Sequence, residues 1–417
     1  MLFKRKPRLS AYNVVGILLI TAAIAAFAFT ARASGTADTV SGLSSGYNSA
    51  GELSRGDNGY TSFIYQNLVM DKDNPFVKLF GGSRHFLALD KEGDLWSWGN
   101  NYSGPLGTGT TYNAYRPVRV IQVSDITEAS GGNDFSIALD AGGTVWSWGI
   151  NYFGQLGNGT YTGNLVPAPI RTLSGITAIS TQEAHCLALD SQGQVWSWGY
   201  NNYGQLGNGT YTSRNVPGIV DGLPQIAAVN CGGYSSFALD YEGNVWAWGS
   251  NDYGELGNGS TVSSPTPVRS LAKDITKIYS GSGHTLAIDK QDNLWSWGNN
   301  YYGQLGDGSM NSNPVPGIVS GLFGIKEIAA GEYNSLAVND KGKLWAWGYN
   351  DTGNLGLGID IYQQLLPSQI KNVSDVTSIA AGIYDTALLE VHRQTAVGPG
   401  MQLSAILFLL GLILIIL

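Results

Sequence analysis

Few side chains in this 417-residue chain are placed to do covalent chemistry. Metal ligation and acid–base work need His, Cys, Asp or Glu brought close together. Of the four His, three (His85, His185 and His284) share one recurring position, which reads Phe135, Ser235, Asn334 and Asp385 elsewhere. So tolerant a position reads as a structural place at a strand start, and no metal site is expected there. Asp90, Asp140, Asp190, Asp240 and Asp289 recur in the same way, and turn formation explains them better than paired-carboxylate chemistry. Glycine-rich runs such as 204–209 lack the Lys and the following helix of a phosphate loop. Cys186 and Cys231 read as two small buried thiols rather than a disulfide. No nucleophile–base pair is marked by its context. The chain is therefore expected not to be an enzyme, and to need no catalytic residue, metal or cofactor.

The positions recur because the chain is one unit repeated. All 12 Trp fall into six pairs, from Trp96 and Trp98 to Trp345 and Trp347, spaced 50, 50, 50, 49 and 50 residues apart. A fixed period near 50 marks a solenoid, an array or a propeller. Within a unit, 85–90 alternates apolar residues, turns, and returns through 94–98 with both Trp on one face. A further segment carries Pro117, Pro167, Pro217, Pro267, Pro316 or Pro367. Proline cannot donate to a ladder, so that strand belongs at an outer edge. With a fourth apolar segment, as at 176–179, each unit has the four strands of a propeller blade.

The flanks complement one another. Residues 46–53 match the run that follows a Trp pair, without the Trp, and 379–388 match the first half of a unit. Together they make a seventh blade, so the expected fold is an all-β, seven-bladed propeller of four-stranded antiparallel blades, its last blade closed by both termini. Composition agrees: 57 Gly is roughly twice the usual share, and 13% charged residues is roughly half. Low charge excludes charge-rich coiled coils, and 43% hydrophobic with 11% aromatic residues supplies ample core against disorder.

The runs 281–288 and 294–306 strongly resemble the regulator-of-chromosome-condensation repeat family, and the resemblance extends over roughly 39–391. It implies the seven-bladed propeller but no single function. The family's nuclear founder is an exchange factor for a small GTPase and docks on chromatin. Other members resemble secreted binding proteins, including a propeller-type inhibitor of β-lactamases.

This chain departs from the founder at its ends. Lys4, Arg5, Lys6 and Arg8 precede an apolar stretch at 14–29 and a small-x-small site at Ala31-Arg32-Ala33, the layout of a signal peptide or N-terminal anchor over 1–33. Residues 34–391 make the propeller, 392–400 a linker, and the uncharged 401–417 a transmembrane or sorting tail, so an apolar helix is expected at each end. The propeller is expected outside the cytoplasm, at the cell surface or the outer face of the membrane. Removing 1–33 takes five basic groups and no acid, which leaves 18 basic against 31 acidic residues, net −13; nucleic acid is not expected as a partner.

Variation between blades points to the binding surface. In the loop after each Trp pair the Asn and Gly repeat, while the residues between them change. Tyr102, Tyr152, Phe153, Tyr200, Tyr203, Tyr253, Tyr301, Tyr302 and Tyr349 sit there, on one face by propeller symmetry. Tyr is a rigid, amphipathic contact residue. The chain is thus expected to be a monomeric, membrane-associated scaffold that binds a protein or cell-envelope glycan through these loops. An exchange-factor-like regulator and a secreted enzyme inhibitor are the alternatives.

Overall fold

Twenty-eight strands form seven four-stranded sheets in the computed structural model, which describes residues 39–392 except 60, 71–73 and 359. The signal segment, the stretch 393–400, the apolar tail and the helix expected at each end lie outside the described residues. Val40–Val391 forms one compact unit.

In the first blade the strands run from axis to rim as Phe76–Gly81, His85–Asp90, Leu95–Gly99 and Ala114–Arg119. The Pro-bearing strand is the rim in every blade that has one, as its missing N–H requires. The fourth apolar segment is corrected in one respect: it is not the last strand of its unit but the innermost strand of the next blade. Ile176–Gln182 pairs with His185–Asp190, not with the Pro strand before it. The proline leaves a gap in any ladder beyond the rim strand, which suits it to the edge, and the chain steps back to the axis and starts a new sheet.

The two Trp of each pair have different duties. The second (Trp98, Trp148, Trp198, Trp248, Trp297, Trp347) is 0% exposed and packs between blades. Its indole N–H reaches the preceding blade: Trp198 Nε1 donates to the Gln155 carbonyl at 2.9 Å and Trp248 Nε1 to the Gln205 carbonyl at 2.8 Å. The core is accordingly shared between neighbours. Phe135, Ile137, Val145 and Leu156 of blade two pack with Cys186, Ala188 and Trp198 of blade three. The first Trp is half-buried, and in five of the six pairs its indole donates to the repeating Asp, as Trp196 Nε1 does to Asp190 Oδ2 at 3.0 Å.

Both ends of the described chain build blade seven. Val376–Ala381 and Asp385–His392 supply its inner strands, and Thr39–Tyr47 and Thr61–Asn67 its outer ones. Ser45 stands where the other blades have their second Trp, and its hydroxyl donates to the Gly353 carbonyl at 2.6 Å. Tyr65 fills the vacated volume. In the other blades the glycine at this loop position (Gly107, Gly157, Gly207, Gly257, Gly306) backs onto the next blade's buried Trp, whereas Gly356 backs onto the Tyr65 ring. The Tyr65 hydroxyl lies 3.0 Å from Thr386 Oγ1. Trp98 Nε1 completes the ring by donating to the Glu52 carbonyl at 2.9 Å.

Candidate functional site

The residues best suited to chemistry are spent on structure. His85, His185 and His284 are buried between blades, and each Nε2 lies 2.8–2.9 Å from a hydroxyl of the next blade, Ser136, Ser236 and Ser335 respectively. Burial pushes the His185 and His284 imidazoles down to about 3 and His85 to about 4. Asp190 Oδ1 accepts the Gln192 and Gln194 N–H groups while Oδ2 takes the Trp196 indole, so the carboxylate ties turn to strand. Burial works against the charge of Asp140 and Asp289. The indole, neighbouring side-chain and backbone donors outweigh it and hold both carboxyls below their usual range. Asp90, Glu92 and Asp94 are the one trio of potential ligands close enough for a metal among the described residues. Asp90 already accepts from Asn74, Glu92, Asp94 and Trp96, which is a turn's arrangement. Cys186 and Cys231 are free and buried, as the sequence indicated.

The aromatic loops are brought together. Antiparallel topology places the third-to-outer loops and the inner-to-second turns on one side of the ring, here called the loop face. Each third-to-outer loop is held by its repeating Asn. Asn201 Oδ1 accepts the Leu206 N–H at 2.8 Å, and its Nδ2 donates to the Thr210 and Thr212 carbonyls. On this frame Tyr102 and Tyr152 stand out into solvent at 71% and 74% exposure. Phe153, Tyr203 and Tyr301 are also exposed, whereas Tyr200, Tyr253, Tyr302 and Tyr349 are half-buried. The rings interlock across blade boundaries: Phe153 meets Tyr200 at 4.7 Å between centroids, Tyr253 meets Tyr301 at 5.4 Å, and Tyr302 meets Tyr349 at 4.8 Å. Packing on neighbours and partial exposure therefore hold together, and the first stiffens what the second presents.

Sequence reasoning missed the inner half of this surface. Tyr234, Tyr333 and Tyr384 lie on the turns between inner and second strands. Tyr234 packs tilted against Tyr203 with centroids 4.8 Å apart, Tyr333 tilted against Tyr302 at 4.9 Å, and Tyr384 edge-on to Tyr47 at 6.5 Å. The available signal was the position just before the His slot, which reads Arg84, Asp134, Ala184, Tyr234, Gly283, Tyr333 and Tyr384 around the ring.

These turns surround the axial channel, a cavity of about 460 Å³ lined by all seven inner strands. Backbone bonds lash several turns together: Ser83 N to the Gly132 carbonyl at 3.2 Å, Asn133 N to Glu183 O at 2.7 Å, and Ile383 N to Ser83 O at 3.1 Å. Glu183 and Glu332, three blades apart, both line the cavity. Burial, together with the charges of Glu332 and Asp134, pushes the Glu183 carboxyl up to about 7. Burial likewise raises Asp134 and Glu332. Arg84 sits on the same rim, with its Nε 3.9 Å from the fully buried Glu52.

A family model, the RCC1-like domain, matches residues 41–388. In fold the chain is similar to Prp20p from Saccharomyces cerevisiae, in a structure described with its binding properties to Gsp1p and histones (TM-score 0.78, 23% identity, 86% of this chain and 93% of that one). The same yeast protein bound to Kap60 superposes equally well (TM-score 0.78, 22% identity, 86% and 90% of the two chains). Human WBSCR16 is similar at TM-score 0.75 and 21% identity, over 85% of this chain and 99% of that one. No curated protein matches the chain in sequence.

Proposed function

We propose that this chain, which belongs to the RCC1-like domain family, is a binding propeller that docks a protein on its loop face and does no chemistry of its own. The observation that carries the reading is the set of aromatic contacts bridging neighbouring blades on that face, which leaves rigid, partly exposed rings side by side from Phe153 round to Tyr349. Rings already ordered lose little entropy when a partner covers them, and aromatic anchors carry much of the energy of protein interfaces. Fixed Asn-held loops with variable tips are how a rigid scaffold presents a surface. A protein is favoured over a cell-envelope glycan because protein docking is described for Prp20p, which has the same fold.

We further propose that the propeller is exported and membrane-associated. The basic run at the start, the apolar stretch with its small-x-small site, and the uncharged 401–417 support this. Among the described residues no helix is long and apolar enough to cross a membrane. An exchange factor for a cytoplasmic GTPase would need the opposite placement. Protease added to intact cells, or to spheroplasts where an outer membrane is present, should digest the propeller; full protection would restore the exchange-factor reading.

The docking itself is tested by cross-linking the full chain in an envelope fraction and identifying what is captured. The Tyr203→Ala/Tyr302→Ala variant should lose that product while melting close to the parent. Undiminished capture by the double variant would remove the loop face as the site.

A further inference from the structure

The lysines of the ring are sorted by face. Every described lysine (Lys78, Lys91, Lys273, Lys277, Lys290, Lys326, Lys341, Lys343 and Lys371) lies in a second-to-third hairpin, in an outer-to-inner connection, or in the inner-strand half at that same end. Several are already paired there, Lys277 with Glu327 at 2.7 Å and Lys290 with Asp274 at 2.9 Å. The loop face has no described lysine. Around the channel mouth the inner-to-second turns hold Asp134, Glu183 and Glu332 against one cation, Arg84.

Arg84 is shared: it acts on Asp134 across the mouth. Among the described residues it is also the one cation beside two acids buried at the junction of blades seven and one, Glu52 at 0% and Asp385 at 2% exposure, each with a carboxyl oxygen that has no hydrogen-bond partner. The mouth therefore holds more carboxyls than cations, in a cavity that takes a side chain. Its rim is aromatic: Tyr333 is hydrogen-bonded to the Glu332 carboxyl, and Tyr234 and Tyr384 lie close to the same acids on neighbouring turns. Carboxylates flanked by phenol rings in a partly desolvated cleft suit a guanidinium or ammonium group, which gains from both the charge and the ring quadrupoles.

Building on the docking role given above, we propose that the partner is a protein that inserts a lysine or arginine side chain into the channel mouth, between Glu183 and Glu332 and against Tyr333 and Tyr384. The loop tyrosines supply the surrounding contact area, and the mouth supplies selectivity for a basic tip. A partner presenting an acidic tip is refused by the same charges.

The test uses the full chain and a fluorescent arginine pentapeptide, with binding read by anisotropy. From about 10 mM to about 150 mM salt, where the screening length shortens from about 30 Å to about 8 Å, affinity should fall but remain measurable. Glu183→Gln/Glu332→Gln should weaken binding by about tenfold or more, the size expected for losing close charge pairs. Glu332→Gln alone should weaken it by a smaller factor, which keeps the test usable if the double variant misfolds. Glu92→Gln/Glu242→Gln on the opposite hairpins should leave it unchanged, and a glutamate pentapeptide should not bind. Equal weakening by both double variants would reduce the effect to general attraction by an acidic protein and overturn the proposal; so would indifference to the Glu183 and Glu332 changes. If the peptide fails but the tyrosine variant still abolishes capture of the protein partner, the loop face stands and only the cationic tip falls. If the peptide binds at the mouth while capture ignores the tyrosines, the docking role falls and the mouth remains.

Discussion

At the scale of single residues, the repeat assigns each recurring type a task in holding a blade together or to the next one. Trp198 is wholly enclosed and bonded to the preceding blade, whereas Trp196 is half-buried on its own sheet. Trp198→Ala should therefore destabilise by about 3–5 kcal/mol and Trp196→Ala by clearly less, measured by urea unfolding. Equal costs would mean the two indoles are not divided in this way. The buried histidines add a pH dependence. His185 is held neutral in the fold down to about 3, while the unfolded chain takes up its proton near 6.5. Below about 6.5 the unfolded state binds the extra proton, so stability is full above that value and is lost as the pH falls toward 3. By pH 5 the loss is about 2 kcal/mol for such a residue. His185→Phe places there the residue found at position 135. It should cost about 1 kcal/mol at pH 8 for the lost bond to Ser236, and should flatten the acid limb of a stability–pH curve. An unchanged acid limb would show that His185 does not titrate in this way.

At the scale of elements, the joint between blades seven and one is built differently from the others. Elsewhere the position before the second strand's first hydroxyl or thiol is filled by His, Phe, Ser or Asn; here it is Asp385, and its neighbour across the joint is Phe86, which offers no hydroxyl. Burial, reinforced by the charge of Glu52 and opposed by Arg84, pushes the Asp385 carboxyl well above its ordinary 3.8. The folded state then holds a proton that the unfolded state releases. The joint costs nothing extra below about 3.8 and becomes progressively costlier as the pH rises toward the folded value. Asn334 occupies the same place in blade six, buried with neither polar atom of its side chain bonded, so the site accommodates an uncharged amide of the same size. Asp385→Asn should raise the melting temperature at pH 8 and leave it nearly unchanged at pH 4, by scanning calorimetry at the two values. A variant that melts lower at pH 8 would mean that the charged carboxylate is stabilising, through Arg84, rather than tolerated.

At the scale of the whole propeller, what was legible in the sequence is what symmetry repeats. The Trp pairs, the rim prolines and the turn aspartates recur at one period because every blade solves the same packing problem, so one chain displays them as an alignment would. What was hidden is where symmetry breaks or where the ring brings distant turns together. Tyr65 replaces the missing Trp from a different strand, so no residue at the expected position announces it. Glu183 and Glu332 are far apart in sequence and meet only because both turns ring one channel. Closure was legible because the half-blades at the flanks match the two halves of a complete one, and the structure shows what that closure is made of. The strand Thr39–Tyr47 lies between Asp385–His392 and Thr61–Asn67, and the Glu52 carbonyl receives the Trp98 indole of blade one. Deleting 39–56 therefore removes one ladder on each side of the lost strand, strands Thr61–Asn67, and leaves the buried Trp98 N–H without its acceptor. Several kcal/mol should be lost, from apolar burial and from the orphaned donor together. The exposed edge of Asp385–His392 should also favour association of one chain with another. Urea unfolding should show a midpoint well below that of the parent, and sedimentation should show larger species. A deletion variant with the parent's midpoint and a monomeric profile would mean that six blades hold together without the clasp, and that the N-terminal strands are dispensable to the ring.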